Sequence, residues 1–234
     1  VFSHHKNFKL KARIDLKYLL TESRTLPASY FKGLNFLLNE QPDKAIEAFI
    51  EVARADQQTV ELHFALGSLF RRRGEIERAI RMHQNLVNRV DLSNEQKTQA
   101  LYELAQDFLK GGLLDRAEEI FSELRKSHYQ ESALKSLLHI YVVEKDWFKA
   151  IGVAQELEKF STERYQKEIA NYYCELAAFQ RAHSRPDQAK GYLEQALNAN
   201  RRCVRVNLVV GEWAAREGNH AGAMEIWKRI EGQN

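Results

Sequence analysis

The sequence predicts an all-α protein in which about six helical hairpins stack into a right-handed superhelical solenoid. Only three of its 234 residues are proline and eleven are glycine, so few residues interrupt helices. Apolar side chains recur at intervals of three and four residues, which is the period of an amphipathic helix. An alanine also recurs at intervals near 34 residues, which indicates a repeated unit of helix, turn and helix.

The recurring alanine lies in the second helix of each predicted hairpin, and we call these six residues the reference alanines. Their spacings are 34, 38, 33, 39 and 34 residues. The two longer intervals are the same period with four or five residues inserted between repeats. A period of 34 residues is typical of tetratricopeptide repeats. The reference alanines are Ala45, Ala79, Ala117, Ala150, Ala189 and Ala223.

The stretch that begins at Gly67 shows one hairpin most clearly. Gly67 and Phe70 lie on one face of a first helix, Gly74 breaks that helix, and Ala79 and His83 face inward from the second helix. Small first-helix residues allow the two helices to approach closely, and bulky residues four positions after the reference alanine lie over one face. These small-residue positions are Gly33, Gly67, Ala105, Leu138, Ala177 and Gly211, and the bulky residues are Phe49, Phe121, Leu193 and Trp227.

The second helices are predicted to begin about three residues before the reference alanine. Pro42 and Pro186 suit the first helical position, and an acidic residue in the first turn faces the positive end of the helix dipole. The fourth hairpin turns at Lys145 without a glycine, which leaves its register the least certain. The predicted repeats are residues 26–59, 60–93, 98–131, 131–164, 170–203 and 204–234.

Residues 1–25 form a basic extension with a short helix predicted at about 15–22. Its lysines and arginine suit a flank beside a membrane span. The alternative is a solvated tail, in which His4 and His5 need not be native. At the other end, the apolar Met224, Ile226 and Trp227 lack a polar capping helix, so we expect further chain or a partner over that face.

Composition excludes several classes of function. A net charge of +3 is small for a protein with 35 basic and 32 acidic residues, which argues against a nucleic-acid binder. Two cysteines, Cys174 and Cys203, do not make a disulfide framework; they suit a reducing compartment and small buried positions. The sequence has no long apolar run typical of a membrane span and no signal peptide.

Motifs for chemistry are not found. The sequence has no glycine-rich phosphate loop, no Gly-x-Ser-x-Gly, no His-Glu-x-x-His and no Cys-x-x-Cys. The eight histidines are scattered, and neighbouring glutamates on a helix point apart. We therefore expect no catalytic residue, no metal ligand and no cofactor in this chain.

The remaining candidate site is a protein-binding groove lined by the first helices. Basic groups interleaved with aromatic rings suit an acidic peptide or helix, with charge steering the encounter. The alternative is structural, because arginines at helix ends stabilise the dipole and the rings can be ordinary packing. The predicted groove residues are Tyr30, Phe64, Arg71, Arg72, Tyr102, Lys110, Lys135, His139, Asn171, Arg181, Arg205 and Arg216.

Five segments together resemble the lipopolysaccharide assembly protein LapB (YciM) family. The resemblance runs from about Leu26 to the C-terminus. The segments are NFLL at Asn35–Leu38, DKA at Asp43–Ala45, GSLFRRRGEIERAIRMHQ at Gly67–Gln84, LLDRAEEIF at Leu113–Phe121 and YYCELA at Tyr172–Ala177.

The resemblance implies a protein on the cytoplasmic face of the inner membrane of a Gram-negative bacterium, with one N-terminal span, the repeat array and a rubredoxin-like zinc module. It also implies a non-catalytic adaptor that regulates lipopolysaccharide biosynthesis by presenting the deacetylase LpxC to the protease FtsH, with YejM as a further partner. No zinc ligand is carried over, because neither cysteine belongs to a paired motif. The alternatives are a general assembly platform, or the recognition module of an enzyme with its catalytic part elsewhere.

Overall fold

The computed structural model describes residues 28–55, 60–160 and 162–231, and the predicted extension at 1–25 with its short helix lies outside these ranges. Twelve α-helices and no strand occur within them, which confirms the all-α prediction. The helices are α1 (Ala28–Leu38), α2 (Pro42–Ala55), α3 (Val60–Arg73), α4 (Ile76–Val87), α5 (Asn94–Lys110), α6 (Leu114–Leu124), α7 (Gln130–Glu144), α8 (Trp147–Phe160), α9 (Gln166–Ala182), α10 (Pro186–Ala199), α11 (Val204–Arg216) and α12 (His220–Glu231).

The helices pair into successive hairpins, which are distributed over two compact units. Unit 1 ends at Leu92 and contains α1 to α4, in which α2 also packs on α3. Unit 2 begins at Ser93 and contains α5 to α12; there the second helix of one hairpin packs on the first helix of the next. Each unit is therefore a stack of hairpins held together by contacts between neighbours, as expected for a repeat protein.

The reference alanines mark the closest packing of each hairpin. Every second helix begins three residues before its reference alanine, as at Pro42 before Ala45 and Trp147 before Ala150. All six reference alanines are at most 1% exposed. A larger side chain at these positions would have no space, which explains why alanine recurs there.

Opposite residues in the two helices of a hairpin are complementary in size. A Cβ atom added to Gly33 would lie 2.4 Å from the ring of Phe49, and one added to Gly67 would lie 2.3 Å from Nε2 of His83. In the last hairpin, a Cβ at Gly211 would lie 2.2 Å from a side-chain atom of Trp227. The bulky residue thus occupies the space that the absent side chain leaves. In each pair it lies sixteen residues after the small one.

The turn inside each hairpin has one conformation throughout the described chain. A residue five positions before the reference alanine has a positive φ, with values from 57° at Glu40 to 82° at Gly218. The next backbone N–H donates to the carbonyl oxygen five residues earlier, as from Glu75 to Phe70 at 2.9 Å. This is the Schellman ending of a helix. The six left-handed residues are Glu40, Gly74, Gly112, Lys145, Ser184 and Gly218.

The fourth hairpin keeps this turn although it has no glycine. Lys145 adopts φ 60° and ψ 25°, and the N–H of Asp146 donates to the carbonyl of Tyr141 at 2.9 Å. Its size pair is reversed, because the bulky Leu138 lies in the first helix and the small Ala154 in the second. Hairpin 4 is therefore a variant of the same unit.

A cation lies over an aromatic ring at the turn of the first four hairpins. Arg78 lies 3.9 Å from the centroid of the Phe70 ring, and Lys149 lies 4.9 Å from that of Tyr141. The cation immediately precedes the reference alanine. The ring belongs to the residue whose backbone carbonyl accepts the hydrogen bond of the Schellman turn. The equivalent pairs in hairpins 1 and 3 are Lys44 over Phe36 and Arg116 over Phe108.

Hairpins 5 and 6 lack both members of this pair. Gln180 and Ala214 stand where the ring would be, and Gln188 and Gly222 stand where the cation would be. Absence of the ring and the cation from the same hairpins fits an interaction in which each group stabilises the turn mainly by contact with the other.

No helix in the ranges that the structure describes is a candidate for spanning a membrane. None of the helices there combines the length and the apolar character that a bilayer crossing needs.

We predict that Lys145→Gly raises the free energy of unfolding by about 1 kcal/mol, because glycine adopts the left-handed conformation without steric strain. Gly112→Ala should lower it by about the same amount, since φ is 73° there and no atom lies within 4 Å of an added Cβ. The measurement is urea unfolding followed by circular dichroism.

Gly152→Ala is the matched control. Gly152 lies inside helix α8, and an added Cβ meets no atom within 4 Å. We expect a gain of roughly 0.5–1 kcal/mol from helix propensity alone. Equal effects of the two glycine-to-alanine changes would contradict the assignment of strain to the turn.

A candidate protein-binding surface

The first helices of unit 2 are joined side by side along one surface. Nε2 of Gln106 in α5 donates to Oγ of Ser136 in α7 at 3.2 Å. Lys135 in α7 forms an ion pair with Glu163, just before α9, at 3.3 Å. We call this face the first-helix surface of unit 2 and define it by Tyr102, Lys110, Lys135, His139, Val143, Asn171, Arg181, Arg205, Leu208 and Arg216.

Most predicted groove cations on this surface already have acidic partners within the chain. Lys135 lies 3.0 Å from Glu131 as well as close to Glu163, and the hydrogen bond to Glu131 raises the pKa of its ammonium group. Arg216 pairs with Glu212 one helical turn earlier. These exposed pairs contribute little to stability, but they neutralise the field that an acidic partner would meet.

Two further arginines pair across the junction between the last two hairpins. Arg205 in α11 pairs with Glu175 in α9, and Arg181 in α9 pairs with Glu217 after α11. Arg181 also lies 5.2 Å from the ring centroid of Trp213. The predicted basic groove is thus a surface of balanced charge in this region.

Besides Lys135 and Arg216, three further predicted residues of this surface are exposed. Lys110 ends α5 and forms no ion pair with any residue of the described ranges, so its charge is available to a partner. His139 in α7 and Asn171 in α9 are exposed as well. These positions are the most accessible polar groups of the prediction.

Sequence reasoning missed the apolar part of this surface. Val143 in α7 is 52% exposed and Leu208 in α11 is 49% exposed. Val143 lies five residues after Leu138, as Lys110 does after Ala105 and Arg216 after Gly211. The register therefore identifies Val143, but selection of only charged, polar and aromatic residues left it out.

Tyr102 is part of a stack of rings and is half-buried. Its ring centroid lies 4.3 Å from that of Tyr129, with the planes 13° apart, and 6.1 Å from that of Phe121. The ring centroid of His128 lies 4.4 Å from that of Tyr129. Burial and the nearby Glu103 raise the pKa of Tyr129. This stack fixes the middle of α5 against the start of α7.

In unit 1 the prediction for Tyr30 is wrong. Its side chain is only 2% exposed and packs on Phe49, with the ring centroids 5.7 Å apart. Burial and the charge of Glu61 raise the pKa of Tyr30 to about 12. The groove position points inward here, because the Tyr30 ring packs on Phe49 and belongs to the core cluster of unit 1.

The other predicted residues of unit 1 lie at the surface or near it. Phe64 is half-buried, with its ring centroid 6.1 Å from that of His83. Arg71 is half-buried and Arg72 is exposed, and both interact with neighbouring groups. The next residue, Arg73, forms ion pairs with Asp43 at 2.8 Å and Glu75 at 3.0 Å.

Among the described residues, no group of three or more histidine, cysteine, aspartate or glutamate side chains is arranged to hold a metal ion. Cys174 and Cys203 are both free thiols in the core of unit 2.

The comparisons with known proteins agree with this architecture. Residues 32–82 and 177–233 match a family model described as tetratricopeptide repeat. Three solved structures share the fold. MamA has a TM-score of 0.51 at 19% identity, over 73% of this chain and 95% of MamA. PilF of Pseudomonas aeruginosa has a TM-score of 0.51 at 15% identity, over 90% of each chain. YrrB, described as a TPR protein with an unusual peptide-binding site, has a TM-score of 0.52 at 10% identity, over 82% of this chain and 94% of YrrB.

The hairpins, their turns and these matches define the chain as a tetratricopeptide-repeat protein. Lipopolysaccharide assembly protein B of Escherichia coli K12 is 39% identical over 214 residues, and that of Haemophilus influenzae is 34% identical over 221 residues. These alignments cover 91% of this chain. The chain is a homologue of lipopolysaccharide assembly protein B, which confirms the resemblance seen in the sequence. It spans 55% and 56% of the length of these two relatives.

We predict that Tyr30→Ala lowers the free energy of unfolding of unit 1 by about 3 kcal/mol, because it leaves a cavity in the core. His139→Ala, at another predicted groove position, should change the stability of unit 2 by no more than about 0.5 kcal/mol, since its side chain is exposed. Hydrogen exchange resolved by peptide measures both units in one sample. Unchanged hydrogen exchange in unit 1 of the Tyr30 variant would contradict the burial of Tyr30 in the core.

Proposed function

We propose that this chain is the repeat region of an adaptor of the LapB type, which regulates lipopolysaccharide biosynthesis without catalysing a reaction. In this proposal it brings the lipid A deacetylase LpxC to the membrane protease FtsH. The observation that carries the proposal is the homology to lipopolysaccharide assembly protein B over nine-tenths of the chain. A surface on the first helices that suits a protein partner supports it further.

The proposed contact is the first-helix surface of unit 2. Val143 and Leu208 expose apolar area that a partner would remove from water, which is a favourable source of affinity. Lys110 adds an accessible positive charge at the end of α5. The paired arginines contribute less, because a partner's carboxylates would have to displace the glutamates that already hold them.

The balanced charge of this surface determines how the affinity for a partner should depend on apolar contact and on salt. Affinity should depend mainly on apolar contact, with a modest contribution of salt-sensitive steering from Lys110. Tetratricopeptide surfaces suit a helix or an extended segment laid across several first helices, so we propose such a segment of LpxC as the bound element.

The proposed setting is the cytoplasmic face of the inner membrane of a Gram-negative bacterium. There the whole protein would also carry an N-terminal span and a rubredoxin-like zinc module, and YejM would be a further partner. Confinement to one membrane would raise the effective concentration of adaptor and protease for each other.

The binding test uses the full chain and fluorescently labelled LpxC, with anisotropy as the readout. We predict saturable binding that the double variant Lys110→Glu with Val143→Asp weakens at least about tenfold, which corresponds to about 1.4 kcal/mol. The matched control is Lys190→Glu with Phe148→Asp, which makes the same charge changes at exposed positions of second helices. The control should bind as the unchanged chain does.

The outcomes separate the function from the surface. Equal weakening by both double variants, or by neither, would place the contact elsewhere while the adaptor proposal stands. Absence of LpxC binding, together with unchanged degradation of LpxC by purified FtsH when the chain is added, would overturn the adaptor proposal.

A further inference from the structure

A pocket of unit 2 lies where helices α8, α9 and α10 meet, and it encloses about 350 Å³. This volume is at the lower end of the range of ligand sites, so it suits a compact molecule. The residues that line the pocket come from all three helices. They therefore surround a ligand on several sides and do not follow a single edge of it.

The pocket is separate from the first-helix surface of unit 2. Ile169 and Tyr173 of α9 line the pocket, whereas Asn171 between them belongs to that surface. Side chains two positions apart on a helix do not face each other. No residue that defines the first-helix surface lines the pocket, so the two are different sites on α9.

The wall of the pocket is rich in carboxamide groups. Four of its side chains are glutamine or asparagine, all four are exposed, and none of them is hydrogen-bonded to another described residue. A carboxamide carries two N–H donors and an accepting oxygen. The wall thus offers both donors and acceptors without charge. The four residues are Gln155, Gln166, Gln195 and Asn198.

Among the described residues that line the pocket, Glu158 alone is charged. Its Oε1 accepts a hydrogen bond from the backbone N–H of Tyr165 at 2.9 Å, which fixes the carboxylate beside the start of α9. The other oxygen remains able to accept a hydrogen bond from a ligand. A phosphate would need cations in this wall and a metal ion would need further anionic ligands, so an uncharged ligand fits best.

One side of the pocket is apolar. Ile169 is 4% exposed and belongs to the core cluster that α8 and α9 share. The ring of Tyr173 stacks on that of Tyr192, with the centroids 6.3 Å apart, and Phe148 packs edge-on against Tyr192 at 6.0 Å. Burial and the neighbouring Tyr192 raise the pKa of Tyr173, so its hydroxyl keeps its proton and can donate a hydrogen bond.

We propose that this pocket binds a neutral saccharide of one or two rings, with its hydroxyl groups on the carboxamides and its C–H groups against Ile169 and Tyr173. Each hydroxyl both donates and accepts hydrogen bonds, as each carboxamide does. A sugar carries hydroxyls all around its ring, which matches polar groups supplied by three helices. An extended peptide carries its backbone polar groups along two edges and matches this arrangement less well. The inference does not depend on the proposed function.

The test is NMR spectroscopy of the isotope-labelled full chain, in which the side-chain amides of glutamine and asparagine give their own signals. The probes are glucose, mannose, N-acetylglucosamine and maltose, added separately. We expect at least one of them to shift the side-chain signals of Gln155, Gln195 and Asn198 saturably. The expected Kd is on the order of 1 mM, because a small ligand makes few contacts.

A pair of variants in α10 locates the bound sugar. Gln195→Leu should weaken the binding at least about fivefold, because one hydrogen-bonding group is lost from the wall. The matched control is Gln188→Leu, which makes the same change at an exposed position of the same helix outside the pocket. The control should bind as the unchanged chain does. Equal affinities of the two variants would overturn the placement of the sugar in this pocket.

Three results on the unchanged chain would overturn the proposal itself. The first is that none of the four sugars shifts these signals at concentrations far above the expected Kd. The second is that glycerol at the same concentration of hydroxyl groups shifts them equally, which would mean general solvation. The third is that the neutral peptide N-acetyl-trialanine amide shifts them more strongly than any sugar, which would make the pocket a peptide site. None of these results bears on whether the chain binds LpxC.

Discussion

The close approach of two helices inside each hairpin is the constraint on which the structure depends. Where the first helix has glycine, the bulky side chain of the second helix occupies the space above it, as Phe49 does over Gly33 and Trp227 over Gly211. The buried reference alanine lies one turn earlier in the second helix, and its small side chain lets the first helix approach there as well. Hairpin 4 satisfies the constraint with the sizes exchanged between Leu138 and Ala154. What recurs is therefore one small and one bulky residue in each pair, and not the identity of either residue.

The same spacing determines the rest of the hairpin. Because the second helix must begin three residues before its reference alanine, the chain has to reverse within a fixed number of residues. The Schellman turn does so at each hairpin, with a left-handed residue that is glycine at Gly74, Gly112 and Gly218 but not at Lys145. The cation over the ring then lies directly above this turn in the first four hairpins. Tight packing thus fixes the turn, and the turn fixes where surface residues point.

The sequence predicted the helices well because period, small residues and helix starts all leave a mark on it. It predicted the site less well, for physical reasons that differ between residues. Tyr30 has the register of a groove residue, but its ring packs on Phe49 in the core of unit 1. Arg205 and Arg181 are of the residue type expected in a basic groove, but glutamates distant in sequence neutralise their charges. Val143 was missed because an exposed valine carries no signal except its register. Such pairings, 30 and 36 residues apart in sequence, become visible only when the hairpins are stacked.

The most direct test of this account is a double-mutant cycle between Gly67 and His83. Gly67→Ala should lower the free energy of unfolding by about 1–3 kcal/mol in the unchanged background, because the new Cβ meets the buried imidazole. In the His83→Ala background the same change should be neutral or stabilising, since the space is then open and alanine favours the helix. Urea unfolding of the four proteins gives the coupling energy. Additive effects, or no effect of Gly67→Ala in the unchanged protein, would contradict the claim that this contact sets the spacing of the helices.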